Sequence, residues 1–287
     1  MRVLVIGCGY VGKPLAGTLA AQGHHVVAAS RVPTELPAGV APLACDITRP
    51  EDVARLPADF EWIVNTVSST KGGSDEYRAV YLEGTKHLLN HLQFQKYVFT
   101  SSTSVYAQND GSVVTETSPA DPQSPTSRIL REAEDLLLHS GRPAIVLRVA
   151  GIYGPDRGAL FMQYLRRDAV IRGDGKRFLN AVHRDDVAGS IVASLERGRA
   201  GEIYNVADDQ PAAEEEFFAW LEEQLKRGFT PPRVSEEVFV GRKRGVTNKA
   251  VSNRKLREDL GYQLKYPTFR EGYMAEITRL RAAGLLR

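Results

Sequence analysis

Three glycines in the run Gly7-Cys8-Gly9-Tyr10-Val11-Gly12 set the chemistry this chain can attempt. The G-x-G-x-x-G spacing suits a tight turn at Gly7, a close backbone approach to a pyrophosphate at Gly9 and close helix–strand packing at Gly12. A pyrophosphate would then meet free N–H groups at the N-terminus of the next helix, which makes Gly7, Cys8, Gly9, Tyr10, Val11 and Gly12 candidate cofactor contacts. The spacing alone is weak, and its setting gives it weight. The aliphatic run Arg2 to Ile6 precedes it as a buried strand, Lys13 to Gln22 continues as a helix with Leu15 and Leu19 four apart, Gly23 ends that helix, and Val26 to Ala29 forms a second strand. Ser30 and Arg31, not Asp or Glu, stand at the tip of that strand. A carboxylate there would bind a ribose 2′-hydroxyl, whereas a hydroxyl and a guanidinium could together hold a 2′-phosphate, so NADP is expected ahead of NAD. The plainer alternative makes Arg31 a solvated loop residue.

The elements that must position these groups follow in alternation. Leu43 to Thr48 reads as a strand ending in an acidic turn, with Asp46 and Ile47 beside an adenine. Glu51 to Leu56 is a short helix and Trp62 to Thr66 another buried strand. Thr66, Val67 and Ser68 lie at its carboxyl end, where an open α/β sheet binds ligands. Asp75 to Leu92 has helical spacing, with Tyr77, Tyr81, Thr85 and Leu88 on one stripe, and Tyr97 to Ser101 is the next strand. Strands alternating with helices argue for a parallel sheet.

Further runs carry a resemblance. They are Asp46-Ile47, Gly84-Thr85, TSSTSVYA from Thr100 to Ala107, Gln123-Ser124-Pro125, RVAGIYGP from Arg148 to Pro155, VHRDDVA from Val182 to Ala188, Ile203 to Val206, and the tail from Val251 to Tyr262. In this order, together with the glycine loop, they span nearly the whole chain, which resembles the extended short-chain dehydrogenase/reductases, the family of nucleotide-sugar epimerases and dehydratases. The resemblance implies an α/β fold, a seven-stranded Rossmann doubly wound parallel sheet with a small C-terminal substrate-binding lobe. Residues 1–151 and 183–210 would form the dinucleotide-binding domain, and 152–182 with 211–287 the lobe. It also implies a small-molecule substrate and places Ser101 among the cofactor contacts. Relatives pair as homodimers through the helices spanning about Asp75 to Leu92 and Ser127 to His139, and here Leu130, Ala133, Leu137 and Leu138 form an apolar stripe on the second of these.

The sequence departs from this family at its chemistry. Ser102 matches the family's serine and could hydrogen-bond a substrate oxygen. The family's Y-x-x-x-K pair should follow Gln123-Ser124-Pro125, but Thr126 stands for the tyrosine and Leu130 for the lysine, and no tyrosine occurs between Tyr106 and Tyr153. Tyr81 occupies the place of the family's asparagine. A threonine hydroxyl cannot take the part of a phenol whose pKa of about 10 is lowered by a nearby lysine. Arg128 or Arg131 could supply a cation but not a base. Tyr81, Tyr106 and His183 could supply a phenol or imidazole, against duller work as an inward-facing helix residue, a packing residue and a helix opener. The candidate catalytic set is therefore Ser102, Thr126, Tyr106, Tyr81 and His183.

Composition narrows the class. The 287 residues are 43% hydrophobic, and 37 basic against 35 acidic residues leave +2, so nothing global calls for nucleic acid or an anionic membrane. No apolar run approaches about 18 residues and no signal peptide precedes the first strand, so the cytoplasm is the expected setting. Cys8 and Cys45 have neither disulfide-scaffold nor metal-ligand spacing, and no metal site is expected. Arg166, Arg167, Arg172, Lys176 and Arg177, and the group Arg242, Lys243 and Arg244, could bind a diphosphate or other anion, or be solvated charge. Two functions compete. One is an atypical NAD(P)-dependent oxidoreductase or epimerase acting on a small polar substrate, sugar-derived or anionic. The other is a non-catalytic NADP-binding sensor or scaffold that kept the fold and lost the reaction.

Overall fold

The computed structural model describes residues 1–32, 35–70, 72–235 and 247–286. Arg242, Lys243 and Arg244 lie outside the described residues. Seven strands form the central sheet: β1 (Arg2–Ile6), β2 (His25–Ser30), β3 (Val40–Ala44), β4 (Trp62–Asn65), β5 (Lys96–Ser102), β6 (Ala144–Val149) and β7 (Ile203–Val206). Their order is β7-β6-β5-β4-β1-β2-β3, and every neighbouring pair is parallel. The aliphatic runs explain this, because strands such as Val3, Leu4 and Val5, fully buried, can only lie between two helical layers. The order reverses between β1 and β4, and the crevice beyond the carboxyl ends of those strands is where such a sheet takes a ligand.

Helices α1 (Gly12–Ala21), α2 (Pro50–Val53), α3 (Ser74–Tyr77), α4 (Gly84–His91), α5 (Pro125–Leu138), α6 (Ala159–Arg166) and α7 (Arg184–Arg197) follow in chain order, then α8 (Glu214–Leu225), α9 (Arg254–Leu260) and α10 (Phe269–Ala282). The helix expected over Asp75 to Leu92 is present but interrupted, since Arg78–Glu83 between α3 and α4 is π-helical. Such widened turns concentrate at functional sites, and this one carries Tyr81. The apolar stripe of α5 packs inward, with Leu130, Ala133 and Leu137 buried against the chain's own sheet. The outward side of the same helices is polar, with Arg78 paired to Glu132 at 3.1 Å.

A second core, separate from the sheet, gathers Tyr153, Phe161, Tyr164, Phe217, Phe218, Phe269, Tyr273 and Ile277. Its centre is aromatic, Tyr153 stacking on Tyr273 at 4.4 Å between ring centroids. Residues 250–260 do not join it, because Val251, Leu256 and Leu260 pack on the sheet core. Asp208, just past β7, is only 2% exposed. Neither of its carboxylate oxygens completes a side-chain hydrogen bond, and burial, helped by the charges of Asp209 and Glu271, pushes its pKa up to about 8. The amides of Gln210 and Phe269 approach closely enough to oppose that shift only in part.

Candidate functional site

The glycine turn between β1 and α1 is built by contact. Gly7 has φ +86°, and a Cβ there would lie 2.6 Å from the Val67 amide nitrogen, so only glycine allows the turn to pass the end of β4. A Cβ on Gly12 would lie 2.4 Å from the Gly7 carbonyl oxygen. Thr66 locks the pair, its hydroxyl donating to the Gly7 carbonyl at 2.9 Å. At Gly9 a Cβ would meet nothing within 4 Å, so the one loop glycine free of protein packing faces open space that a pyrophosphate can fill. The first bonds of α1 run from Lys13 N to Gly9 O and from Leu15 N to Val11 O, leaving the amides before them at the positive end of the helix. These residues fit a dinucleotide.

A cleft of about 820 Å³ runs from this turn across the carboxyl ends of the strands. Of the residues read from the sequence as cofactor contacts it is lined by Gly7, Cys8, Gly9, Tyr10, Val11, Ser30, Arg31, Asp46, Ile47, Thr66, Val67, Ser68 and Ser101, whereas Gly12 is packed behind the loop and does not line it. Ser30 and Arg31 are at one end, where the Arg31 guanidinium donates to the Thr70 hydroxyl at 3.0 Å. Asp46 closes its own turn by accepting from the Thr48 amide and hydroxyl. Both cysteines line the cleft as thiols held protonated: burial raises the Cys8 pKa, and burial reinforced by Asp52 and Asp46 pushes Cys45 up to about 11.

The catalytic candidates separate at the other end. Ser102, Tyr81 and Leu130 line the cleft, whereas Thr126, Tyr106 and His183 do not. Ser102 Oγ accepts from the Ser104 amide at 3.2 Å and caps the turn that ends β5. Tyr81 is 5% exposed, its hydroxyl accepts from the Ser69 amide at 3.4 Å, and its ring packs against Tyr77 and Phe99. Thr126 is buried on the first turn of α5. Tyr106 is fully buried, donating to Asn205 Oδ1 at 2.8 Å and accepting from Arg148 at 2.9 Å. His183 caps α7 by accepting from the Asp185 amide at 3.2 Å, and burial pulls its pKa down to about 4. Tyr106 and His183 thus hold structural posts away from the cleft.

The sequence reading missed two features. Glu134, fully buried, pairs with the buried Arg148 at 2.7 Å and accepts from the Ser101 hydroxyl at 2.5 Å, so an ion pair beneath the cleft floor orients Ser101. Its signal was a lone Glu within an apolar helix face. Arg157, flanked by Gly154, Pro155 and Gly158, also lines the cleft. Four of the basic residues in this half are engaged within the chain: Arg172 and Arg177 face the buried Glu214, Arg166 pairs with Asp168, and Arg167 donates to the Arg227 carbonyl. Among the described residues no group of three or more His, Cys, Asp or Glu could hold a metal ion, and no helix is long and apolar enough to cross a membrane.

Comparison with known proteins agrees with this architecture. Residues 3–207 match the model of the NAD dependent epimerase/dehydratase family. Protein YeeZ of Escherichia coli is 29% identical over 285 residues, covering 93% of this chain and 96% of that protein. A 3-diazoavenalumate denitrifying reductase of Streptomyces is 27% identical over 304 residues, covering 95% and 99%. Among solved structures, DesIV, the dTDP-glucose 4,6-dehydratase of Streptomyces venezuelae, superposes with a TM-score of 0.83 at 21% identity, over 98% of this chain and 97% of that one, a likeness of fold. Matched by that family model over more than half of its length, the chain belongs to the NAD-dependent epimerase/dehydratase family.

Proposed function

We propose that this protein is an NADP-dependent oxidoreductase of atypical active site, acting on a small polar substrate in the cleft between the sheet and the second core. Residues 1–151 and 183–210 then serve the dinucleotide, and 152–182 with 211–287 the substrate, apart from 250–260, which pack on the sheet core. The observation that carries the reading is the sorting of proton-transfer candidates: of Tyr81, Tyr106 and His183, Tyr81 alone reaches the cleft. When bound, the dinucleotide would give or accept a hydride. Gly7, Gly9, Gly12 and the α1 N-terminus would hold its pyrophosphate. Ser30 and Arg31 would hold a 2′-phosphate, in keeping with the lack of a carboxylate at the tip of β2. Ser102 would hydrogen-bond the substrate oxygen, and Tyr81 would exchange the proton. Leu130 fills the lysine's place with a hydrocarbon, so the family's usual lowering of a phenol pKa has no counterpart at that position. A match to a relative named as a reductase supports hydride chemistry.

The competing reading, a dinucleotide-binding sensor, draws on that same Leu130. A cytoplasmic homodimer paired through α4 and α5 completes the proposal. The test is a metabolite screen that follows NADPH absorbance with wild type beside Tyr81→Phe and Ser102→Ala. Turnover lost in both variants supports the enzyme, and tight NADPH binding with no turnover of any compound supports the sensor.

A further inference from the structure

Arg157 is the feature that the family's usual chemistry does not account for. It sits in a stiff turn between the two cores. Gly154 and Arg157 exchange both backbone hydrogen bonds at 3.0 Å. Asp156 between them has a left-handed backbone, φ +60°. A non-glycine residue in that region persists where its surroundings hold it, and here the buried Glu276 accepts from the Asp156 amide at 3.0 Å while Arg279 pairs with the Asp156 carboxylate. At the far side, a Cβ on Gly158 would lie 2.7 Å from the Tyr273 hydroxyl, so the turn is wedged on the second core.

All this aims one guanidinium. Arg157 is exposed to the cleft and lies over the ring of Tyr10, 4.9 Å from its centroid, while the Tyr10 hydroxyl donates to the Pro155 carbonyl at 3.0 Å. Arg184 flanks the same ring at 5.2 Å, but its charge is answered by Asp185 at 3.0 Å. Arg157 makes no ion pair among the described residues. Tyr10 directly follows Gly9, whose open side faces the space a pyrophosphate would take. A stacked guanidinium there, held in place and lacking a carboxylate, has the geometry for a bidentate hold on phosphate oxygens.

We propose that Arg157, stacked on Tyr10 beside the glycine loop, is a fixed clamp on the dinucleotide pyrophosphate, linking cofactor binding to the turn that borders the substrate end of the cleft. This rests on the dinucleotide-binding reading. The test is titration calorimetry without substrate on wild type, Arg157→Gln and Arg157→Lys, using NADPH, phospho-ADP-ribose, which keeps the pyrophosphate without nicotinamide, and adenosine 2′-monophosphate, which has none. Circular-dichroism melts confirm folding of the variants. Arg157→Gln should weaken NADPH and phospho-ADP-ribose alike, by about 10- to 100-fold, and leave adenosine 2′-monophosphate unchanged. Arg157→Lys should retain more of the affinity than Arg157→Gln. Unchanged NADPH affinity in Arg157→Gln overturns the clamp, as does a loss seen with NADPH but not phospho-ADP-ribose, or one equally large with adenosine 2′-monophosphate. A wild type that binds no dinucleotide overturns the dinucleotide reading itself.

Discussion

Replacing Asp208 by Asn should flatten a pH-dependent loss of stability. Asp208 is 2% exposed, and burial raises its pKa from 3.8 to about 8 in the folded chain. Between those values the folded protein holds a proton that the unfolded chain has released. The contribution is therefore fully present below about pH 4 and is lost as pH rises toward 8. One proton gives a slope of about 1.4 kcal/mol per pH unit, so from pH 5 to pH 7 the loss is about 2 to 3 kcal/mol. His183 acts the other way. Its folded pKa is lowered from 6.5 to about 4, so its neutral burial gains stability as pH rises through that window. The wild-type profile is the sum of both, and the difference between wild type and Asp208→Asn isolates the carboxyl. Urea unfolding at pH 5 and 7 should show the variant gaining about 2 to 3 kcal/mol relative to wild type across the interval, whatever constant offset the amide introduces. A difference independent of pH would refute the buried, protonated Asp208 and with it the packing assigned to the junction of β7 and α10.

Three further outcomes are expected. Arg31→Asp should weaken NADPH by about 1.5 to 3 kcal/mol and spare NADH in calorimetry, and equal losses would remove the 2′-phosphate assignment. On a substrate found by screening, Tyr81→Phe should lower kcat by about 10²- to 10⁴-fold while Thr126→Val costs only about 0.5 to 1.5 kcal/mol, and the reverse ranking would move the proton transfer to the hydroxyl at 126. Light scattering at micromolar concentration should give twice the 31.6 kDa chain mass. A monomer would remove the pairing, whose apolar stripe is already used in packing α5 on the sheet.

The sheet was legible because its signals are local. A buried parallel strand is an unbroken aliphatic run, and the glycine spacing between β1 and α1 matches the contacts that Gly7 and Gly12 make with Val67 and with each other. The position of the cleft was legible for the same reason, since residues at strand carboxyl ends converge in an open α/β sheet. The chemistry was less so. Tyr81, Tyr106 and His183 carry the same kinds of group, and only packing separates the one in the cleft from the two that hold Asn205 and the start of α7. The π-helical turn at Arg78–Glu83 leaves the apolar stripe recognisable, so periodicity does not reveal it. Arg157 and Glu134 depend on partners far away in sequence, Tyr10 and Arg148. The cost of burying Asp208 appears only once α10 has folded beside it.

The most direct test of the account is calorimetric titration of wild type with NADPH and NADH. Both are expected to bind in the cleft, NADPH more tightly than NADH by a margin that Arg31→Asp abolishes. Failure of either dinucleotide to bind at millimolar concentration would contradict it.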